Sequence, residues 1–221
     1  MTAARDPLSR LDRVDTTLLS DALDALGMPG GTGELRSQGV AAQIRGRVRT
    51  VELGPASPGD CPGPHIATGA IAAASDGDVM VVANQGRMDV SCWGGLLSLG
   101  SIARGIRGAV VDGVCRDVAE ANDLGFSVFS RGITPRTARG RLKQIATGTT
   151  VVIDGITVRD DDFVVADDSG VVFIPAANID AVLDRAEWVQ QREAAIAADI
   201  RAGVGMAEAM HDARLTAAND Q

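Results

Sequence analysis

Between residues 77 and 130 the chain switches repeatedly between two hydrophobic periods. "DGDVMVVAN", "RGAVVDG" and "FSVFSR" are short Val- and Phe-bearing runs of strand type. Two stretches of helical period separate them. "SCWGGLLSLGSIARGI" opens a helix near Gly94 or Gly95, and "RDVAEANDLG" makes a second with Gly125 as its stop. Strands alternating with helices at this spacing build βαβ units, so the pattern predicts a mixed α/β fold with a partly parallel sheet. Hydrophobic residues make up 45% of the chain but aromatics only 3%, with no Tyr. The core therefore has to be built from Val, Ile, Leu and Ala, which suits buried strands covered by helices.

The flanks add different elements. "VDTTLLSDALDALG" reads as a helix capped by Asp15 and ended by Gly27. A glycine-rich loop, "MPGGTGELR", leads to strand sequence in "VAAQIRGRVRTVEL". After the Pro/Gly-rich loop "GPASPGDCPGPH", "IATGAIAAA" reads as a small-residue helix. "TVVIDGITVRD" predicts a hairpin turning at Asp154-Gly155, and "DFVVADDSGVVFIP" another turning at Asp168 to Gly170. The acidic run Asp160–Asp162 reads as a turn before a strand. "NIDAVLDRAEWVQQREAAIAADIRAG" is a long amphipathic helix, followed by the shorter "MAEAMHDARL". The expectation is one domain over residues 1–221, with 176–221 as a carboxyl-terminal helical extension.

Net charge is -8, which repels phosphate backbones and argues against a nucleic-acid partner. The three cysteines, Cys61, Cys92 and Cys115, show no paired spacing, so neither a disulfide framework nor a thiolate zinc site is expected. No apolar run is long enough for a membrane span, and the N-terminus lacks a signal-type apolar region. These features predict a cytoplasmic protein.

Two segments carry candidate chemistry. In "WGGLLS" the amides of Gly94, Gly95, Leu96 and Leu97 stand at a helix start, where free N–H groups hold carboxylates or phosphates. The same sequence also makes a plain tight turn into a core helix. In "DGVCRD" Arg116 and Asp117 follow the next strand, at the edge where ligands of α/β sheets collect. Arg offers a planar fork to a carboxylate, and Asp offers oxygen to a hard cation. A helix cap beside a surface cation is the plainer reading of that pair. His65 could act as a base but fits a loop position. Cys115 adjoins the pair without a visible base partner. The loop "RGITPRTARGR" is dense in Arg and suits either a phosphate site or a solvated face.

"WGGLL", then the 22 positions from Gly94 to "RD", then "LGFSVFSRGITPR" and "VVADDSGVVFIP", resemble the 4-hydroxy-4-methyl-2-oxoglutarate aldolases, a family that includes the regulators of ribonuclease activity A. "LLSDALDALG" resembles the family's opening helix. The resemblance implies an α/β fold of the swivelling phosphohistidine-domain type, a β/β/α sandwich, assembled as a homotrimer or hexamer with its active site between subunits. It implies Mg²⁺ or Mn²⁺ held by Asp117, and a pyruvate-like 2-oxo acid held by Arg116 and the amides of Gly94 to Leu97. Many members carry an acidic residue where this chain has Gly95. Glu34 and Glu193 are the candidates for orienting water, in reach of a neighbouring subunit's site.

On that basis the chain is expected to be a class II-type aldolase releasing pyruvate, with oxaloacetate decarboxylation as a side activity. The sole lysine, Lys143, lies outside these motifs, which disfavours a Schiff-base route. The alternatives are a non-catalytic ribonuclease-binding regulator and a sugar-acid lyase on the same scaffold.

Overall fold

The computed structural model describes residues 6–28, 30–39, 43–57, 59–60 and 64–211. Cys61 and the last ten residues of the expected helical extension lie outside these. The elements run α1 (Pro7–Leu11), α2 (Thr16–Ala25), β1 (Gly31–Thr32), β2 (Arg36–Ser37), β3 (Ile44–Pro55), α3 (Thr68–Ala73), β4 (Val79–Trp93), α4 (Gly95–Ile102) and β5 (Gly108–Cys115). Then follow α5 (Val118–Asp123), β6 (Ser127–Ile133), β7 (Leu142–Thr147), β8 (Val151–Ile153), β9 (Ile156–Val158), β10 (Phe163–Asp167), β11 (Gly170–Ile174), α6 (Ile179–Arg201) and α7 (Met206–Ala209).

A mixed sheet has the order β1-β11-β10-β3-β4-β5-β6-β2, with β7 added to β3. The predicted βαβ units are present: β3, β4, β5 and β6 are parallel, with Val79 beside Gly108 and Gly108 beside Ser127. Long β3 joins two regions, since Ile44–Arg47 pair with β10 and Val48–Glu52 with β4. Both predicted hairpins form, as β8–β9 and β10–β11. Asp154 and Gly155 have φ of 49° and 80°, the left-handed pair that a two-residue turn needs to match strand twist.

Side chains alternate across the parallel strands and so split the interior in two. Met80, Val82, Val111 and Val128 pack under α3, α4 and α5, against Ile71, Leu97 and Ala121. Val81, Val110 and Phe129 face the opposite way, onto Val151, Ile153 and Val158 of the β8–β9 hairpin. The sheet is thus covered by helices on one face and by a small hairpin on the other. A third cluster seats α1, α2 and α6 on β10 and β11 through Leu19, Leu23, Val182, Leu183, Phe163 and Ile174. Fully burying a side chain such as Leu183 contributes roughly 2 kcal/mol. Arg10 ties α1 to α6 through Glu187 at 2.8 Å and Asp184 at 2.6 Å.

Three differences from the sequence expectation stand out. β4 does not stop at Asn84; it turns at Gln85 and Gly86, with φ of 57° and 66°, and returns beside β5 as far as Trp93. α1 and β7 carry no strong period, being one turn long and a largely exposed edge respectively. The segment "MAEAMHDARL" is helical only over Met206–Ala209 among the described residues.

Candidate active site

Parallel register brings the ends of β4 and β5 side by side. Trp93 pairs with Cys115, and the Arg116 N–H donates to the Trp93 carbonyl at 3.0 Å. Gly94 and Arg116 are therefore neighbours across the sheet edge although 22 positions apart in sequence. Trp93 braces the turn: its indole N–H donates to Ser98 Oγ at 3.0 Å, and Ser98 donates to the Gly94 carbonyl at 3.3 Å. Phe126 stacks beside the indole with ring centroids 6.1 Å apart.

Asp117 stands at the N-cap position of α5 but makes no capping hydrogen bond. Its backbone is left-handed, φ 56° and ψ 38°, which Asp tolerates better than most residues. That turn sends the carboxylate across to α4, where Oδ2 accepts the Gly95 N–H at 3.2 Å. The Nε of Arg116 lies 3.2 Å from the same oxygen. Asp117 thus serves the start of α4 rather than capping its own helix. A Cβ on Gly94 would come within 2.9 Å of Asp117 Oδ2 and 3.2 Å of Arg116 Nε, so any side chain there would displace one of these two groups.

The sequence reading missed Glu120. It lies in the first turn of α5, exposed, and its Oε2 sits 1.9 Å from where a Cβ on Gly95 would be. The space a side chain at position 95 would use is filled by this carboxylate from the next helix. Asp117 and Glu120 thus both border Gly95, one at its N–H and the other at its Cα.

The four amides of the glycine turn are not equivalent. The Gly95 N–H is taken by Asp117, and the Leu97 N–H donates to the Gly94 carbonyl at 3.1 Å. Among the described residues the N–H groups of Gly94 and Leu96 have no acceptor, and that of Leu96, in the first helical turn, is available to an anion. Its side chain is 80% exposed, and Met88, Leu99 and Ile133 are also exposed.

Other candidates lie elsewhere within the chain. Glu34 is exposed, 4.0 Å from Arg131, in a cluster where Arg131 binds Asp112 at 2.8 Å and Asp154 at 2.7 Å. Glu193 is exposed on α6, which packs on α1, α2 and the β10–β11 pair. Neither is brought to Arg116 and Asp117 of the same chain. His65 starts the turn into α3, where its carbonyl accepts the Thr68 hydroxyl. Cys115 is buried, which pushes its thiol up, and Ser130 Oγ donates to it. Lys143 pairs with Asp60 at 3.0 Å. No helix among the described residues is long and apolar enough to cross a membrane.

Comparison with known proteins gives the family and the fold. A protein of Halalkalibacterium halodurans named "Putative 4-hydroxy-4-methyl-2-oxoglutarate aldolase" is 30% identical, over 89% of this chain and 91% of its own. A solved structure of an uncharacterized Pseudomonas syringae protein superposes with a TM-score of 0.82 at 33% identity, covering 95% of this chain and 98% of the other. Streptomyces coelicolor RraAS2, described as an unusual member of the RNase ES inhibitor RraA protein family, gives 0.77 at 25% identity, over 87% and 96% of the two chains. The match spans 33% of the length of the Legionella pneumophila protein DlpA and 64% of the length of a Methanocaldococcus jannaschii protein. The model of the RraA-like family, described as Aldolase/RraA, matches residues 16–173, and the chain belongs to that family.

Proposed function

We propose that this protein is a divalent-metal-dependent class II-type aldolase that cleaves 4-hydroxy-4-methyl-2-oxoglutarate-like 2-oxo acids to pyruvate. The observation that carries the reading is the meeting of Arg116, Asp117 and Glu120 with the glycine-opened start of α4. The donors suit a hard cation. Two exposed carboxylates share one rim, and among the described residues no group of three or more His, Cys, Asp or Glu forms a closed metal cage. Mg²⁺ and Mn²⁺ accept such sparse oxygen donors, Mg²⁺ keeping several waters. When bound, the cation supplies Lewis-acid polarisation of the 2-oxo carbonyl.

The protein's own groups do the rest. Arg116 spends Nε on Asp117 and keeps its terminal amino groups for the substrate's C1 carboxylate. The Leu96 N–H adds a donor from the positive end of α4. Glu120 orients the water that takes the C4 hydroxyl proton. The C4 oxygen then forms a carbonyl as the C3–C4 bond breaks, the C4 fragment leaves as a 2-oxo acid, the bond's electrons pass to C3, and protonation there completes pyruvate. Loss of CO₂ from oxaloacetate yields the same pyruvate enolate, hence the decarboxylase side activity. A lysine Schiff base has no candidate, since Lys143 is engaged by Asp60.

Helices on one sheet face and a hairpin on the other support the swivelling β/β/α sandwich assignment. Exposed Leu96, Leu99, Met88 and Ile133 support a homotrimer or hexamer in which a neighbour covers this rim. In that assembly Glu34 or Glu193 of one subunit serves the site of the next.

A ribonuclease-binding role is the second reading, favoured by the likeness to RraAS2. Pyruvate release from 4-hydroxy-4-methyl-2-oxoglutarate and oxaloacetate, with Mg²⁺ or Mn²⁺ and with EDTA, separates the two. Turnover that EDTA abolishes establishes the aldolase. Its absence from both substrates, together with capture of a ribonuclease, establishes the regulator.

A further inference from the structure

The arginine-dense segment from the end of β6 into the following loop has sorted its residues into different tasks. Arg131 is locked between Asp112 and Asp154. Arg141 folds back on its own loop, donating to the Thr137 carbonyl at 3.1 Å. Arg136 and Arg139 are exposed, and the described residues give neither an ion pair.

Two backbone bonds fix where Arg136 stands. The Thr134 N–H donates to the Cys115 carbonyl at 2.9 Å, one residue before Arg116. The Ser91 N–H donates to the carbonyl of Arg136 itself at 2.9 Å, three residues before Gly94. The loop is thus strapped across the two strands that deliver the two halves of the site. The carboxylate that feels its charge, Asp89, is already forked by Arg87 at 3.0 and 2.9 Å. The guanidinium of Arg136 therefore keeps its donors for an outside anion. In a chain of net charge -8, an unpaired cation at a binding rim repays explanation by what it recognises.

We infer that Arg136 is the specificity-determining residue that binds the distal carboxylate of the substrate, and so the residue on which the preference for the proposed 2-oxo dicarboxylates over 2-oxo monocarboxylates depends. The inference rests on the reading of Arg116 as the holder of the C1 carboxylate. Arg116 and Arg136 then grip opposite ends of one extended dianion, and each fork contributes orientation as well as affinity.

Calorimetric titration of the full chain with 2-oxoglutarate and with pyruvate, in Mg²⁺, tests this without turnover. The wild type should bind 2-oxoglutarate the more tightly. Arg136→Met should weaken that binding roughly 10- to 100-fold, the range of a lost charge-assisted contact, and leave pyruvate binding unchanged. Arg136→Lys should recover part of the loss, and Arg139→Met should keep the preference. Equal weakening of both ligands, a preference that survives in Arg136→Met, or the same loss in Arg139→Met would overturn it. A dicarboxylate preference that depends on Arg136 in a protein that cleaves no aldol would leave this inference standing and remove the aldolase reading. A wild type that binds neither acid sinks both.

Discussion

Oε2 of Glu120 lies 1.9 Å from the point that a Cβ on Gly95 would occupy. The glycine and the glutamate are alternatives for one space, and here the carboxylate arrives from α5 rather than from α4. Glu120→Ala should lower metal-dependent pyruvate release roughly 10- to 100-fold, as loss of a group that orients metal-bound water does. Adding Gly95→Asp to that variant should restore activity, because an acid at the first position of α4 reaches the vacated space and suits the helix end. Steady-state kinetics and Mn²⁺ binding of the single and double variants check the exchange.

Asp117→Asn should retain the fold and lose metal-dependent turnover by more than roughly 100-fold. Asn also tolerates the left-handed backbone at φ 56° and can still accept the Gly95 N–H. Asp117→Ala is the poorer test, since it adds roughly 1 kcal/mol of backbone strain. Mn²⁺ binding and thermal melting separate loss of the ligand from loss of the fold.

Arg131 joins the sheet to the β8–β9 turn by holding Asp112 and Asp154. Asp112 is only 3% exposed. Arg131→Met leaves that carboxylate buried and unpaired, which should cost about 3 kcal/mol. Urea unfolding should show the shift in midpoint. Arg131→Met combined with Asp112→Asn should recover part of it.

Burial works to raise the Asp167 carboxyl, but hydrogen bonds outweigh it and hold the group below the ordinary value. The donors are the Thr16 hydroxyl at 2.6 Å and the N–H groups of Thr16 and Ser169, each at 2.9 Å. The folded state therefore binds its proton at lower pH than the unfolded chain. The resulting stability is full above the unfolded value of about 3.9 and is lost as pH falls through the lower folded value. Asp154, lowered by Thr32 and Arg131, acts in the same direction. Urea midpoints should fall on acidification below about pH 4, and less steeply in Asp167→Asn.

Leu96 is 80% exposed in the first turn of α4. On the proposed homotrimer or hexamer, Leu96→Glu should leave the subunit folded and shift sedimentation towards single chains. Unchanged sedimentation would remove this rim from the subunit contact.

The legible parts of the fold were those that local chemistry dictates. Asp154-Gly155 had to be a hairpin turn because both positions are left-handed. Asp15 caps α2 by accepting the Leu18 N–H at 2.9 Å, as its place before the apolar period implied. The parallel strands followed from Val-rich runs alternating with Gly-stopped helices. The continuation of β4 beyond the turn at Gln85–Gly86 was not legible, because it is held by pairing with β5 rather than by any periodic signal. Nor was Glu120, which by sequence is an ordinary first-turn acid.

The amino-acid sequence by itself determined the βαβ core, the turns and the presence of Arg116 and Asp117 after a buried strand. Hydrophobic period and backbone sterics act over a few residues and need no partner. Only the tertiary structure decided that Asp117 reaches across to Gly95 instead of capping its own helix, and that Glu120 fills the space beside it. Those relations depend on the register that sets Trp93 beside Cys115, and register is fixed by packing between strands that the sequence holds apart.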